Sequence, residues 1–204
     1  GALVQNIILN FALEDRVVLM ERGGNFLLQT VPHAYRIRVI APLEARVDRI
    51  SMRESVDTYS ARLLAKRTDK ERGNFAYSMF GKTWDDPAGF DEVFDTAKQP
   101  IPHIIDRVVG VLNERDGKKT DEAENDIRMR AMAAKIKAHM FMNPKLLAPT
   151  LDVEVEGRGL VLTGIVRGPK HLERIKEESL RLAGDIPIRF SVHYKGLSDV
   201  RAED

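Results

Sequence analysis

The sequence predicts an α/β protein in two parts, and three observations predict it. Over residues 1–115, short apolar runs of strand length alternate with amphipathic helical periods. Residues 122–204 follow a different order: helix, strand, strand, helix, strand. Between them, residues 113–121 read Asn-Glu-Arg-Asp-Gly-Lys-Lys-Thr-Asp and carry no apolar side chain. Strands alternating with helices imply a parallel sheet for the first part. The second part reads as a small α+β unit, and residues 116–121 as the linker.

In the first part, Val4, Ile7, Ile8 and Phe11 have helical spacing over residues 4–13. Residues 16–20, Arg-Val-Val-Leu-Met, form a continuous apolar run like a strand buried on both faces. Gly23 and Gly24 end it. Residues 35–41 are a second strand, closed by Pro42. Residues 43–54 are helical, with Leu43, Val47 and Ile50 inward and Arg46, Arg49 and Arg53 as a basic stripe. Residues 57–81 read as two short helices, and 90–94 as a third strand. A helix over 101–113 turns Ile104, Ile105, Val108, Val109 and Leu112 inward.

In the second part, a helix over 122–142 stops at Asn143 and Pro144. Leu151, Val153 and Val155 alternate with Asp152, Glu154 and Glu156; residues 157–159 turn, and 160–166 return. Pro169 opens a helix with Leu172, Ile175, Leu182 and Ala183 inward. Ile186, Ile188, Phe190, Val192 and Tyr194 then alternate with polar residues, giving one buried and one wet face. Met129, Met132, Met140, Phe141 and Met142 read as core packing of the long helix, with an adaptable interaction surface as the alternative.

Composition narrows the function classes. Lys+Arg is 32 and Asp+Glu is 31, a net charge of +1, so no broad electrostatic footprint for nucleic acid or an acidic membrane exists. There is no cysteine, which excludes disulfides, thiolate metal sites and a cysteine nucleophile and agrees with a reducing cytoplasm. No run approaches the roughly 18 apolar residues of a membrane helix. The five histidines form no H-x-x-x-H pair, and no metal site is expected.

Two features point toward phosphate. Arg22, Gly23 and Gly24 follow an apolar run, where glycines allow close backbone approach and arginine forks onto a phosphate. A surface arginine on a turn explains the same residues. Residues 62–72 hold five cations, Arg62, Lys66, Arg67, Lys70 and Arg72, against Asp69 and Glu71. Phosphoryl transfer needs positive charge that closes over the transferring group. A solvated helical face with i,i+4 ion pairs is the plainer account.

Five blocks occur in order: Glu-Arg-Gly-Gly-Asn-Phe-Leu-Leu (21–28), Arg-Val-Ile-Ala-Pro-Leu-Glu-Ala-Arg (38–46), Lys-Arg-Thr-Asp-Lys-Glu-Arg (66–72), Phe-Gly-Lys-Thr-Trp-Asp-Asp-Pro (80–87) and Phe-Asp-Glu-Val-Phe-Asp-Thr (90–96). Together they resemble the C-terminal part of the cytidylate kinase-like family of P-loop nucleoside monophosphate kinases, over residues 1–115. The resemblance implies ATP-dependent phosphoryl transfer to a CMP-like nucleotide, with ATP and Mg²⁺ as cofactors if the chain is active. It implies Lys66, Asp69 and Arg72 as catalytic lid residues, and Arg22, Gly23, Gly24, Arg46 and Arg67 on the substrate side.

The chain departs from that family in three places. It contains no G-x-x-x-x-G-K-[ST] phosphate loop. Glu21 stands where glycine is usual, and Asp95 where asparagine is expected. Without the strand that carries the phosphate loop, strands at 16–20 and 35–41 would each keep an open edge. The chain is then part of a longer kinase, a non-catalytic derivative, or a homodimer in which a second copy completes the sheet. The expectation is a nucleotide-related protein that is not catalytic as this chain stands.

Residues 143–144 and 151–166, with the element order around them, resemble a BON domain over 123–195. That resemblance implies a binding module for a phospholipid surface, another ligand or a protein. Residues 121–204 carry 14 cations and 14 anions, so attraction to an anionic bilayer has no general field behind it. A protein or small-ligand partner is favoured. The alternative function is a non-enzymatic regulatory or interaction protein, membrane-associated through this second module.

Overall fold

The computed structural model describes residues 1–14, 16–20, 23–148, 150–195 and 201–203 of the chain. Its packing separates two units, Leu19–Thr120 on one side and Gly1–Val18 with Asp121–Asp204 on the other. The first helix, α1 (Ala2–Leu13), therefore packs in the C-terminal unit rather than in a 1–115 domain.

In the 19–120 unit a one-turn helix α2 (Gly24–Leu27) precedes β1 (Ile37–Ile40). Helices α3 (Leu43–Glu54) and α4 (Thr58–Phe80) connect β1 to β2 (Glu92–Asp95), and α5 (Ile101–Asp116) follows. β1 and β2 pair in parallel, from Ile37 opposite Glu92 to Ile40 opposite Asp95. A crossover of helices between parallel strands is the connection that pairing requires. The sheet has two strands only among the described residues. Residues 16–20 are not a strand: Val18 is 88% and Met20 81% exposed, and no ladder partner holds them.

Residues 57–81 form one helix, not two. Asp57 caps α4 by accepting from the Ser60 N–H, and Gly81 ends it with its N–H on Tyr77 O. Ala61, Ala65 and Ala76 are its buried residues and give close packing. Gly73 does not break the helix, and a Cβ there would meet the Trp84 indole at an ordinary contact distance of 3.4 Å. α5 also departs from expectation. It runs on to Asp116, through the first part of the polar stretch read as linker. Ile104 and Val111 are buried, but Ile105, Val109 and Leu112 are about half exposed.

In the other unit α6 (Asp121–Met142) lies between α1 and a sheet of β3 (Asp152–Glu156), β4 (Gly159–Val166), β5 (Ile188–Tyr194) and β6 (Arg201–Glu203). β3–β4 is an antiparallel hairpin, β4–β5 is parallel across α7 (Pro169–Ala183), and β6 is antiparallel to β5. The expected order helix, strand, strand, helix, strand is present, with β6 added. Met129, Ala133, Ile136 and Met140 of α6 join the core with Leu160, Leu162 and Ile175. The opposite side of α6, with Ile127, Ala131, Ala134 and Ala138, is buried as well, and Asn6 of α1 donates to Ala131 O at 3.0 Å. Methionines 129 and 140 are thus core, while Met142 is exposed. Gly164 has φ +138°, and a Cβ there would meet Thr150 O at 2.7 Å, so this glycine permits a close backbone approach. His171 is buried and accepts from the Arg167 N–H through Nδ1.

Candidate functional site

The basic cluster of residues 62–72 lies along the middle of α4, with α3 packed beside it. Two bidentate ion pairs lock these helices. Arg46 donates to both oxygens of Asp69, each at 2.8 Å, and Arg62 to both oxygens of Glu44. The Asp69 hydrogen bonds raise the Arg46 pKa further, so that guanidinium stays charged. The hydrogen bonds from Arg62, with Lys66 nearby, hold Glu44 below the usual carboxylate range. Asp69, expected to be catalytic, spends both oxygens on Arg46.

Lys66 and Lys70 are exposed and make no ion pair among the described residues. Arg67 lies about 100° round the helix from Lys66 and pairs with Glu71 at 2.8 Å. That is the i,i+4 pairing a solvated face provides. Arg72 stands beside Trp84, its guanidinium carbon 5.8 Å from the ring centre. Arg46 and Asp69 are therefore brought together, Lys66 flanks them, and Arg67 turns away.

Of the two glycines, Gly23 serves packing. Gly23 has φ +84°, and a Cβ there would come within 2.1 Å of the Phe80 ring, so its close approach is to α4 rather than to a ligand. A Cβ on Gly24 would touch Leu19 at 3.7 Å. Phe80 and Lys66 are 14 residues apart on one helix, about 21 Å along its axis. The glycine turn and Lys66 thus share no single pocket. Arg22 lies outside the described residues. Gly81-Lys82-Thr83 looks like the end of a phosphate loop, but it follows the C-terminus of α4, the negative end of the helix dipole.

Asp95, standing where asparagine is expected, accepts from the Ala97 N–H, and Lys98 approaches it at 3.6 Å. Asp86 caps the short turn at Pro87–Gly89, so the Asp85-Asp86 pair reads as loop structure. No cluster of three His, Asp or Glu that could hold a metal occurs among the described residues.

A second polar centre, unforeseen from the sequence, joins the loops before β1 and β2. Asp91 accepts from the backbone N–H, Nε and Nη2 of Arg36, and Arg115 of α5 approaches at 3.3 Å. Burial opposes the Asp91 charge, but these arginines outweigh it and hold the carboxyl below its ordinary range. Burial and the hydrogen bond to Glu92 push the Tyr35 hydroxyl up to about 12. A cleft of about 290 Å³ beside this centre is lined by Thr30, Arg36, Asp91, Arg115 and Lys118. None of the expected site residues lines it.

Residues 2–98 match the model of the cytidylate kinase-like family. No curated protein matches the chain. Among solved structures, an uncharacterized protein from Eubacterium ventriosum ATCC 27560 is similar in fold, at 20% identity and a TM-score of 0.50. The match covers 54% of this chain and 63% of that one, so the chain spans less than two thirds of that protein. The parallel β1–β2 pair with its helical crossover lies inside the family match. No described helix is long and apolar enough to cross a membrane.

Proposed function

We propose that the 19–120 unit binds a phosphate-bearing nucleotide through the α3–α4 pair and that this chain does not transfer the phosphoryl group. The family match over residues 2–98 carries the reading. The geometry adds to it. Lys66, unpaired and exposed, stands on the helix that Arg46 and Asp69 hold in place. A cation on a braced helix suits electrostatic recognition of phosphate. Catalysis lacks the backbone cradle and the Mg²⁺-binding hydroxyl of a phosphate loop, neither of which this sequence supplies. We read the unit of Gly1–Val18 with Asp121–Asp204 as a separate small module for a protein or small ligand.

The test compares Lys66→Ala with Arg67→Ala in calorimetric titrations with CMP and with ATP and Mg²⁺. Lys66→Ala weakens nucleotide binding at least fivefold, and Arg67→Ala, on the paired side of the helix, changes it less than twofold. Equal effects of the two substitutions would overturn the assignment of the site to this face of α4.

A further inference from the structure

The cleft of about 290 Å³ opens at the amino ends of the two parallel strands, where Arg36 precedes β1 and Asp91 precedes β2. Open α/β sheets take nucleotides outside the carboxyl ends of their strands, here Ile40 and Asp95, so this cleft lies at the other end of the sheet. Its cations exceed its anions. Arg36, Arg115 and Lys118 line it, and Asp91 is the one carboxylate among the lining residues, an excess of two positive charges. Arg36 is spent: its Nε and Nη2 donate to Asp91 and its Nη1 to the Gly89 carbonyl. Glu92, the next carboxylate along the chain, is taken by Tyr35 and Arg107. Arg115 is held but not spent. Its Nη1 donates to the Ala34 carbonyl and to Asp91, and its guanidinium carbon stands 5.0 Å from the Tyr35 ring centre. Its Nε and Nη2 make no hydrogen bond among the described residues, and neither atom is sealed from solvent. Lys118 follows in the turn after α5, its N–H bonded to the Arg115 carbonyl at 2.9 Å, and its ammonium makes no ion pair among the described residues.

We infer that this cleft binds a short aliphatic dicarboxylate, with one carboxylate on the Nε–Nη2 edge of Arg115 and the other on Lys118. Nε and Nη2 present two parallel N–H groups on one side of the guanidinium, the fork that a planar carboxylate fills with both oxygens. Asp91, Ala34 and the Tyr35 ring already fix that guanidinium, so little side-chain freedom is lost on binding. The Arg115 side chain is 19% exposed, which strengthens its attraction for an anion over that of a fully solvated cation. An excess of two positive charges matches a dianion. Val31, Pro32 and Ala34 line the same cleft and give methylene groups an apolar surface. Its volume falls at the small end of the range for ligand pockets, roughly 300–1,000 Å³, which suits a compact molecule. The inference goes beyond the nucleotide-binding reading and shares no residue with the α3–α4 pair, so the two can fail separately.

The full chain is titrated by calorimetry with succinate, with acetate and with inorganic phosphate, all at constant ionic strength. The expected result is saturable heat with succinate, and binding at least tenfold weaker with acetate and with phosphate. Lys118→Ala weakens succinate binding at least fivefold; Lys118 is exposed, so this variant keeps the fold. Arg115→Lys, which keeps the charge and loses the planar fork, also weakens it at least fivefold, and circular dichroism checks that this variant is folded. Lys82→Ala is the control, an exposed lysine of the same unit outside the cleft, and changes succinate binding less than twofold. A flat succinate titration, or equal succinate affinity in the wild type and Lys118→Ala, would overturn the inference. So would equal weakening by Lys82→Ala, which would mean attraction to general positive charge. Phosphate binding as tight as succinate would overturn the dicarboxylate assignment. Succinate binding that persists unchanged in saturating CMP would uphold the separate site, and displacement of succinate by CMP would contradict it.

Discussion

Asp91 gives the clearest residue-scale consequence. Its side chain is 21% exposed, and those of Arg36 and Arg115 are 13% and 19% exposed, so the cluster is mostly out of water. Hydrogen bonds to charged groups in such a setting contribute about 1.5–3 kcal/mol each. Asp91→Asn is therefore expected to cost the unit about 2–3 kcal/mol at neutral pH in urea unfolding followed by Trp84 emission. The pKa of Asp91 is lowered in the fold. Its contribution is complete above the ordinary carboxylate pKa, about 4, and is lost as pH falls through the folded value. The gap between wild type and variant should therefore narrow toward pH 3; a constant gap would mean the charge contributes nothing. The sequence did not reveal this cluster. Arg36, Asp91 and Arg115 are far apart in the chain, and nothing local marks them as partners.

At the scale of elements, capping and periodicity were legible, and partnership was not. α3 runs where the shared face of Leu43, Val47 and Ile50 predicts it. The sequence predicts two short helices over 57–81, whereas α4 continues unbroken through Gly73. The run at 16–20 was read as a strand from apolarity alone, but a strand needs a neighbour to accept its hydrogen bonds. In α5 the apolar stripe is wider than the surface available to cover it, so periodicity could not say which half is buried. The structure makes that testable. Ile104→Ala should cost about 2–4 kcal/mol, while Ile105→Gln should stay within about 0.5 kcal/mol. Comparable losses in thermal unfolding would show that the stripe expected from sequence, including Ile105, is packed after all.

For the whole molecule, the unexpected result is that the C-terminal unit is discontinuous in sequence. The units part at Thr120 and Asp121, inside the polar stretch 113–121. Sequence order gave no reason to assign α1 across it. The physical signal was in α6, whose alanines 131, 134 and 138 share a side opposite the methionines and invite a second helix at close range. Leu9 of α1 is 3% exposed. Leu9→Ala should cost the C-terminal unit about 2–4 kcal/mol, seen as faster amide exchange along α6 and β4. Exchange in α4 and the Trp84 unfolding transition should be unchanged. Acceleration confined to residues 19–120 would contradict this division of the chain.

The central claim is that this chain recognises a nucleotide phosphate without transferring it. The most direct measurement is one calorimetric titration of the full chain with CMP in the presence of ATP and Mg²⁺, with the same sample then assayed for CDP and ADP. The expected result is saturable heat and no product. Product formation would contradict the non-catalytic half of the claim, and a flat titration would contradict the nucleotide-binding half.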